Sequence, residues 1–512
     1  MAKDEKMVSP GPHPLQRSLL GLMAGITLVG SSLMGVGSIT RTQAQTSYYC
    51  HFSEAAIAEK DALRQAAQQG DREAQQRYKT LVGEHAAMLR RCRSQTWPQT
   101  QAVWVRLYPC DIQSGALDHL LDRLVNLGYN QVYVEAFYNG QVLLPMAENQ
   151  TPWPSVIRHP DHRNTDLLAE AIAKGRERGL EVYAWMFSMN FGYSYAQRPD
   201  RAQALAQNGH GQTSLSALEA ASLDFNTGGL HGEEAFVDPY NQQAKYDYYQ
   251  MAEAILRRQP DGVLFDYIRY PKGIGGASVA SRVQDLWIYG EAAQQALIER
   301  GTNASGQALI RRFLSRGYVT AGDLEEIRGR YGDEAPMWQG RSPADEDAER
   351  TAEETRDWFQ QELWRLSVAH AIQGVLDFLA VALLPAQQQR IPAGAVFFPE
   401  ANAQVREGYD SRLQPWDRFP ASIEWHPMSY GVCGDTSCIV SKVQRVIEQA
   451  PAGTQIKPVI AGVWGQPITN RPSLEAQMEA IRRAAPQINA VSHFAYSWQD
   501  PQFERQRQFC QL

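Results

Sequence analysis

Four carboxylate side chains lie at or close to the ends of short apolar runs, and such groups can cleave a glycosidic bond. They are Asp266, Glu135, Glu400 and Glu424. This cleavage needs two carboxyl groups, about 5 Å apart when one attacks directly and about 6.5 to 9.5 Å apart when one activates a water. Asp266 is the first candidate, and its partner stays open among the three glutamates. Glu424 is expected to lie deepest, because Trp-His-Pro follows it.

The position of Asp266 follows from the alternation of side chains along a strand. Leu264, Asp266 and Ile268 would share one face, so Leu264 fills a barrel interior and Asp266 points into its mouth. There it would serve catalysis or substrate binding. The alternative is a salt bridge to Arg269 that only holds the loop. For each glutamate the alternative is an ion pair to a barrel arginine such as Arg106.

The carboxylates fall within a repeated alternation of apolar strand and amphipathic helix, which is typical of parallel βα units. The predicted strands cover residues 103–107, 131–136, 181–187, 262–268, 395–398, 423–428, 458–462 and 491–496. The predicted helices include 116–127, 166–178, 242–258, 353–384, 437–449 and 473–484. Eight strands with helical crossovers, and no GxGxxG after the first, predict an α/β fold of the (β/α)8 TIM barrel type. Catalytic groups of such barrels lie at the carboxyl ends of the strands, which is the rule that selects the carboxylates.

The predicted domain organisation has a leader, a hairpin and a barrel. Residues 1–44 form a signal peptide or an anchor, 45–97 a helical hairpin appendage, and 98–512 the barrel, with a helical insertion at about 272–352 after the fourth strand. The uncharged stretch 19–37 predicts export to the periplasm or the exterior. The sequence does not decide whether this segment is cleaved as a signal peptide or retained as an anchor. Contact with the membrane is expected only if the segment is uncleaved.

All six cysteines follow this segment, and an even number in an exported chain indicates disulfides. Two pairs are favoured because they bracket a turn or the ends of the hairpin, and the third is the remainder: Cys433–Cys438, Cys50–Cys92 and Cys110–Cys510. No CxxC pair or His cluster accompanies the cysteines, so no metal site is expected, and no cofactor is predicted.

The composition narrows the class of partner. The chain is 44% hydrophobic and its net charge is -7, so a large core is available and no strong single-sign field is implied. Nucleic acid is therefore not an expected partner.

Four runs occur in order along the predicted barrel: Gly128-Tyr129-Asn130 leading to Asn139-Gly140, Arg178 to Trp185, Asp238-Pro239, and Asp261 to Pro271. With them the chain resembles the glycosyl-hydrolase-like family 10 group of exported bacterial barrels from Val103 onward. That family usually has two successive aspartates in its fourth-strand motif, whereas this chain has Tyr267 at the second position. The version with Tyr, Ile and Arg is similar to a related glycoside hydrolase family. Chitinase-type barrels end this strand with Asp-Trp-Glu, and their glutamate has no equivalent here.

The resemblance implies a bacterial cell-wall or exopolysaccharide glycan as substrate, with the glycan strands of peptidoglycan as the first expectation. It also implies aromatic rings for stacking and polar side chains for hydroxyl or acidic groups: Trp185, Tyr430, Trp498, Asn139, Arg269 and His493. Barrel packing is the alternative for each ring. For His493, on the opposite strand face from Phe494 and Tyr496, burial against a helix is the favoured interpretation.

Two hypotheses of different class follow. The first is a glycoside hydrolase that uses Asp266 and a second carboxylate on a polysaccharide or oligosaccharide. The second is a catalytically inactive glycan-binding barrel, which the loss of a carboxylate at Tyr267 favours.

Overall fold

Eight parallel strands frame the structure, a computed structural model that describes residues 49–217, 234–332, 334–342 and 350–510. The predicted signal or anchor segment, residues 1–44, lies outside the described residues. The strands are β1 Thr100–Val105, β2 Gln131–Tyr138, β3 Glu181–Phe187, β4 Gly262–Asp266, β5 Ala393–Phe397, β6 Glu424–Pro427, β7 Val459–Ala461 and β8 Ala490–Phe494.

The strands close into a barrel. Parallel hydrogen bonding joins them in the order β6, β5, β4, β3, β2, β1, β8, β7. Bridges from Trp425 to Ile456 and from Met428 to Val459 join β6 to β7 and complete the ring. The predicted TIM barrel is confirmed.

Helices alternate with the strands along the chain. The main ones are α1 Glu54–Gln68, α2 Arg72–Gln95, α3 Ala116–Asn126, α4 Leu167–Glu177, α5 Gln242–Leu256, α6 Glu291–Ile298, α7 Ala304–Arg316, α8 Ala321–Tyr331, α9 Ala352–Gln389, α10 Ser437–Gln449, α11 Leu474–Ala484 and α12 Pro501–Gln508. Several begin at a side-chain cap that satisfies free backbone N–H groups, as at Asp71 before α2 and Asn241 before α5.

Seven of the eight strands differ from the sequence-based expectation at one or both ends, and two of these differences have a cause in the backbone. β1 begins at Thr100 because its first residues pair in register with Ala490 and Val491 of β8. β4 ends at Asp266 because Tyr267 adopts a left-handed backbone with φ 55°. Ile268 therefore does not continue the inward face of β4.

Aromatic rings fill the carboxyl-terminal half of the barrel interior. The Trp104 ring lies 4.8 Å from Tyr133, 4.7 Å from Trp185 and 6.1 Å from Phe494, measured between centroids. Trp104 also donates from its indole N–H to Ser492 of β8. The mouth of the barrel is therefore floored by packed rings and not by an open channel.

The long helix α9 is the outer layer of the fourth βα unit. Of the helices described, it alone has the length and apolar composition of a membrane span. Its buried side packs on the barrel, where Ala371 accepts a hydrogen bond from Tyr270 and His370 accepts one from Tyr240. Packing in the core accounts for its apolar character.

The hairpin of α1 and α2 packs against α3 and α4 through buried charges. Asp122 of α3 accepts hydrogen bonds from Tyr78 of α2 at 2.7 Å and from Arg178 at 3.0 Å, and Lys60 of α1 lies 4.0 Å away. Arg93 donates to three backbone carbonyls, those of Tyr49, Pro98 and Gly128. The hairpin is thus joined to the barrel by buried charged groups, each of which would be strongly destabilising without its partner.

An insertion follows β4, and it contains α6, α7 and α8. A small antiparallel sheet of Val279–Ala280, Gly408–Asp410 and Gln404–Val405 ties the start of this insertion to the loop after β5. Both segments lie at the carboxyl end of the barrel, so the insertion is fixed on the face where the candidate site lies.

The three predicted disulfides are present: Cys50–Cys92, Cys110–Cys510 and Cys433–Cys438. Their Cα separations are 5.8, 6.0 and 6.3 Å, which lie in the normal range. The structure therefore holds these cysteines oxidised, in agreement with an exported chain.

Candidate active site

Asp266 ends β4 in an almost fully buried position, 7% exposed. Its Oδ1 accepts a hydrogen bond from the Tyr267 backbone N–H at 2.7 Å, and its Oδ2 accepts one from the Trp185 indole N–H at 3.2 Å. Burial raises the pKa of Asp266 to about 6, against the opposing effects of these donors and of the Arg269 charge. A carboxyl group with this pKa exchanges its proton near neutral pH.

Glu135 lies on β2 and is 1% exposed. Its Oε2 accepts a hydrogen bond from Arg106, so the ion-pair alternative holds for this glutamate. Its Oε1 is buried and meets no donor among the described residues. Burial raises the pKa of Glu135, and Arg106 opposes that rise. A buried acceptor without a donor is costly unless a water or a ligand hydroxyl supplies the bond.

The register of the strands gives the relative positions of Asp266 and Glu135 along the barrel. Glu135 is level with Trp185 on β3, and Trp185 is level with Leu264 on β4. Asp266 lies two residues beyond Leu264, so it is one inward-facing position nearer the mouth than Glu135. The charge on Glu135 contributes to the raised pKa of Asp266, which shows that the two groups lie within electrostatic range.

The other two predicted carboxylates are not brought to this position. Glu400 follows β5 and is turned to the periphery, where Lys442 of α10 donates to it at 3.3 Å. Glu424 begins β6 and therefore lies toward the amino-terminal end of the barrel. It accepts hydrogen bonds from Lys457 at 2.7 Å and from His426 at 3.1 Å. Despite burial, the hydrogen bonds and electrostatic effects of His426 and Lys457 lower the pKa of Glu424 to about 2. We assign to both glutamates the ion-pair role that the sequence left as the alternative.

Three neighbouring aromatic rings form a row that begins at Asp266. Trp185 donates to its carboxylate, and Phe494 at the end of β8 lies 6.1 Å from Trp185 and 5.7 Å from Tyr430. Burial raises the pKa of Tyr430, and the Asp266 charge adds to that effect, so Tyr430 lies close to the carboxylate. Trp185 is thus a wall and a hydrogen-bond donor of the site, while Tyr430 is partly exposed at its edge.

Trp498 lies beyond β8 and one of its faces is covered. The guanidinium of Arg471, on the loop after β7, lies 5.2 Å from the centroid of Trp498. Arg471 closes a tight turn with Ile468, through backbone hydrogen bonds of 2.8 and 2.9 Å, and both intervening residues have positive φ. Sugar stacking on Trp498 is therefore restricted to the opposite face of its ring.

Tyr267 contacts two charged groups. Its hydroxyl donates to Glu234 at 3.0 Å, and the guanidinium of Arg269 lies 4.5 Å from its ring centroid. Arg269 is 6% exposed, donates to the Tyr270 carbonyl, and makes no ion pair with a described carboxylate. The direct salt bridge between Asp266 and Arg269 is thus not formed.

Asn139 and His493 occupy different environments. Asn139 lies in the turn after β2 with φ 45°, and the next residue, Gly140, approaches Gly192 of the loop after β3. His493 is wholly buried on the outer face of β8, where its Nδ1 lies 2.9 Å from the Tyr129 hydroxyl. Burial lowers the pKa of His493 to about 3. His493 therefore does not reach the mouth, because alternation turns it outward.

Sequence reasoning missed Glu234 and Arg471. Both lie on long loops, after β3 and after β7, and no periodicity predicts which loop residue returns to the mouth. The two Glu residues at 233–234 before an apolar run were the available signal for Glu234. For Arg471 it was the following Pro472, which ends a loop before a helix.

No group of three His, Cys, Asp or Glu residues within the described ranges could hold a metal ion.

Neither a protein-family model nor a curated protein matches this chain. The resemblance to glycosyl-hydrolase-like family 10 therefore rests on the sequence motifs alone.

Solved structures with a similar fold include several glycoside hydrolases. The PgaB (BpsB) glycoside hydrolase domain from Bordetella bronchiseptica has 14% identity and a TM-score of 0.43, covering 80% of this chain and 98% of that one. A family 20 exo-β-N-acetylglucosaminidase from Vibrio harveyi has 8% identity and a TM-score of 0.36, covering 78% and 50%. A family 18 chitinase from Pseudoalteromonas aurantia has 11% identity and a TM-score of 0.32, covering 78% and 94%. The likeness concerns the fold.

Proposed function

We propose that this chain is a glycoside hydrolase of a bacterial cell-wall or exopolysaccharide glycan, with Asp266 as the acid and Glu135 as the base. One observation carries the proposal: two buried carboxylates lie at the mouth of the barrel, within electrostatic range of each other. The pKa of Asp266 is raised to about 6, and Oε1 of Glu135 is left without a described donor. Buried carboxylates without a task are rare, because each lowers stability.

The strand positions support a pair with room for a water. One strand separates β2 from β4, so two interstrand spacings, about 10 Å, separate their backbones. Both side chains point inward, which brings the carboxyl groups closer than their backbones. Such a separation suits inversion, in which a water lies between the base and the sugar.

The proposed reaction uses each group once. Protonated Asp266 gives its proton to the glycosidic oxygen as the bond to the anomeric carbon breaks. Glu135, whose ionised form Arg106 favours against the effect of burial, takes a proton from the attacking water as the new C–O bond forms. Exchange with solvent then returns the proton to Asp266 and removes it from Glu135.

Substrate contacts are proposed for the residues around this pair. Tyr430 and one face of Trp498 would stack on sugar rings, Asn139 would bind hydroxyl groups, and Trp185 holds Asp266. Tyr193, 49% exposed on the loop after β3, adds a ring on the side of Asn139.

Export is part of the proposal. The three disulfides favour an oxidising compartment, so a periplasmic or extracellular location is proposed, with a cleaved signal peptide or an anchor at residues 1–44.

An inactive glycan-binding barrel is the second candidate. Arg106 neutralises Glu135, and Tyr267 stands where a second aspartate is usual in the family that the sequence resembles. Both features would persist in a barrel that kept its binding surface and lost turnover.

The deciding experiment is the release of reducing ends from peptide-free peptidoglycan strands and a panel of bacterial exopolysaccharides. Asp266→Asn keeps the shape and removes the acid, so turnover should fall by several orders of magnitude while glycan binding persists. Asp261→Asn is the matched control, because Asp261 immediately precedes the same strand at its other end, where it pairs with Arg176.

Two results would contradict the hydrolase. Turnover that survives Asp266→Asn would remove Asp266 from the mechanism. A wild-type protein that binds the glycans without releasing reducing ends would favour the second candidate.

A further inference from the structure

Two arginines at the barrel mouth lack an anionic partner within the described part of the chain. Arg269 follows β4 and Arg471 follows β7, and neither makes an ion pair with a described carboxylate. Other arginines near this face are paired, as Arg106 is with Glu135 and Arg412 with Asp410 at 2.7 Å. The two unpaired guanidinium groups therefore differ from their neighbours.

Arg269 is the more deeply buried of the two. It is 6% exposed, its NH1 donates to the Tyr270 carbonyl at 3.0 Å, and its Nε meets no acceptor among the described residues. The Tyr267 ring lies 4.5 Å from its guanidinium and the Phe236 ring 5.5 Å away. Arg269 lies within electrostatic range of Asp266 but forms no ion pair with it, so its guanidinium keeps hydrogen-bonding capacity for an anion.

Arg471 lies beside Trp498 on the loop after β7. Trp498 lies under its guanidinium, and the turn formed with Ile468 fixes its backbone. Its one described side-chain hydrogen bond is a long one, 3.4 Å, from NH1 to the Thr469 carbonyl. Its Nε is buried and meets no acceptor among the described residues. A planar guanidinium fixed in this way is preorganised for a carboxylate.

Tyr430 lies between the two arginines in the order of the barrel strands, since it follows β6. The charges of Asp266 and Arg471 both act on its hydroxyl. Arg471 and the proposed acid Asp266 therefore both lie within electrostatic range of Tyr430.

We propose that the substrate is an acidic glycan, and that Arg471 at the rim and Arg269 beside Tyr267 bind sugar carboxylates. This rests on the proposed function, whose site it extends with a substrate class. The alternative explanation is that Arg471 only packs on Trp498 to hold its loop.

The test uses matched polymers with and without carboxylates. The probes are peptide-free peptidoglycan strands, which carry lactyl carboxylates, and a glucuronate-containing bacterial exopolysaccharide. Each is used in its native form and after reduction of the carboxyl groups to alcohols. For at least one polymer, kcat/KM on the native form should exceed kcat/KM on the reduced form by about tenfold to a hundredfold. A change of this size corresponds to the usual free energy of a hydrogen bond to a charged group.

Variants assign the effect to Arg471. Arg471→Gln should lower kcat/KM on the native polymer by about tenfold or more and change it little on the reduced polymer. Arg471→Lys, which keeps the charge and loses the planar fork, should fall between. Arg483→Gln is the control, because Arg483 lies on α11 of the same βα unit, is exposed, and pairs with Glu479. Arg483→Gln removes the same charge and should leave kcat/KM unchanged on both the native and the reduced polymer.

The outcomes separate this inference from the proposed function. Equal cleavage of native and reduced polymers would overturn the acidic-glycan inference and leave the hydrolase in place. An equal loss by Arg471→Gln on both polymers would show a role in packing and overturn the assignment. If neither form is cleaved but the native form binds more tightly, the carboxylate preference stands and the hydrolase fails. If neither form binds, both fail.

Discussion

At the scale of single residues, Asp266 shows how the burial of a carboxylate lowers stability. Its pKa in the folded chain, about 6, lies above the value of 3.8 that it has in an unfolded chain. The folded state thus holds its proton more tightly, so its contribution to stability is full below about pH 4 and is lost as pH rises through about 6.

Asp266→Asn should therefore stabilise the protein at neutral pH. At pH 7.5 the free energy of unfolding should rise by about 1 to 3 kcal/mol, since a shift of about two pKa units is the upper limit of the gain. At pH 4 the difference should vanish, because aspartic acid and asparagine are both neutral. Denaturant unfolding at the two pH values measures this. A destabilisation of equal size at both values would show that lost hydrogen bonds, and not a removed charge, dominate.

The residues of the site were predictable only where a strand end fixed them. Asp266 and Glu135 follow apolar runs, and the barrel rule selects such positions. The same rule also selected Glu400, whose side chain pairs with Lys442 in the structure. The rule locates the backbone of a residue at a strand end, whereas local charges set the direction of its side chain. Glu234 and Arg471 lie in loops, whose return to the mouth depends on tertiary contacts that periodicity does not record.

At the scale of elements, the close packing of α9 determines whether a substitution of Gly374 raises or lowers the stability of the protein. A Cβ on Gly374 would lie 2.8 Å from ring carbons of Pro239 and Tyr240. Glycine to alanine in a helix normally stabilises by about 0.5 to 1 kcal/mol. Here overpacking against these two rings should outweigh this gain and give a net loss of about 1 to 2 kcal/mol.

Gly83→Ala in α2 is the matched control for that prediction, because nothing lies within 4 Å of the added Cβ. It should raise stability by about 0.5 to 1 kcal/mol. Thermal unfolding of both variants tests the pair. A stabilised Gly374→Ala would show that α9 moves away from the barrel at little cost.

The elements themselves were largely predictable because hydrophobic period separates buried strands from amphipathic helices. All eight strands and the helices between them occur where the pattern predicts them, and β3 and α10 agree to the residue. The end of β4 does not agree, since the positive φ of Tyr267 has no signature in a hydrophobic pattern. That irregularity places Tyr267 and Arg269 beside Asp266, so the least predictable backbone lies at the candidate site.

At the scale of the whole molecule, one disulfide joins the two ends of the barrel. Cys110 follows β1 and Cys510 follows α12, a separation of 400 residues, whereas Cys433 and Cys438 are 5 apart. Side chains hold the same ends together, since Arg507 of α12 donates to Asp111 at 2.6 Å. The barrel should therefore remain closed when the Cys110–Cys510 bond is absent.

The two disulfides should differ in their effect on stability because they restrict unfolded chains of different length. Chain entropy assigns about 6 kcal/mol to a loop as long as that of Cys110–Cys510 and about 2 kcal/mol to one as short as that of Cys433–Cys438. Replacing both cysteines of a pair by serine, and measuring unfolding in guanidinium, should thus show a loss larger by about 3 to 4 kcal/mol for the long loop. The far-ultraviolet circular dichroism of both variants should match that of the wild type. Equal losses of stability would contradict the entropic origin and indicate that native packing around the disulfides sets their contribution. A loss of secondary structure in the Cys110–Cys510 variant would show that the arginine contacts of α12 do not hold the barrel closed.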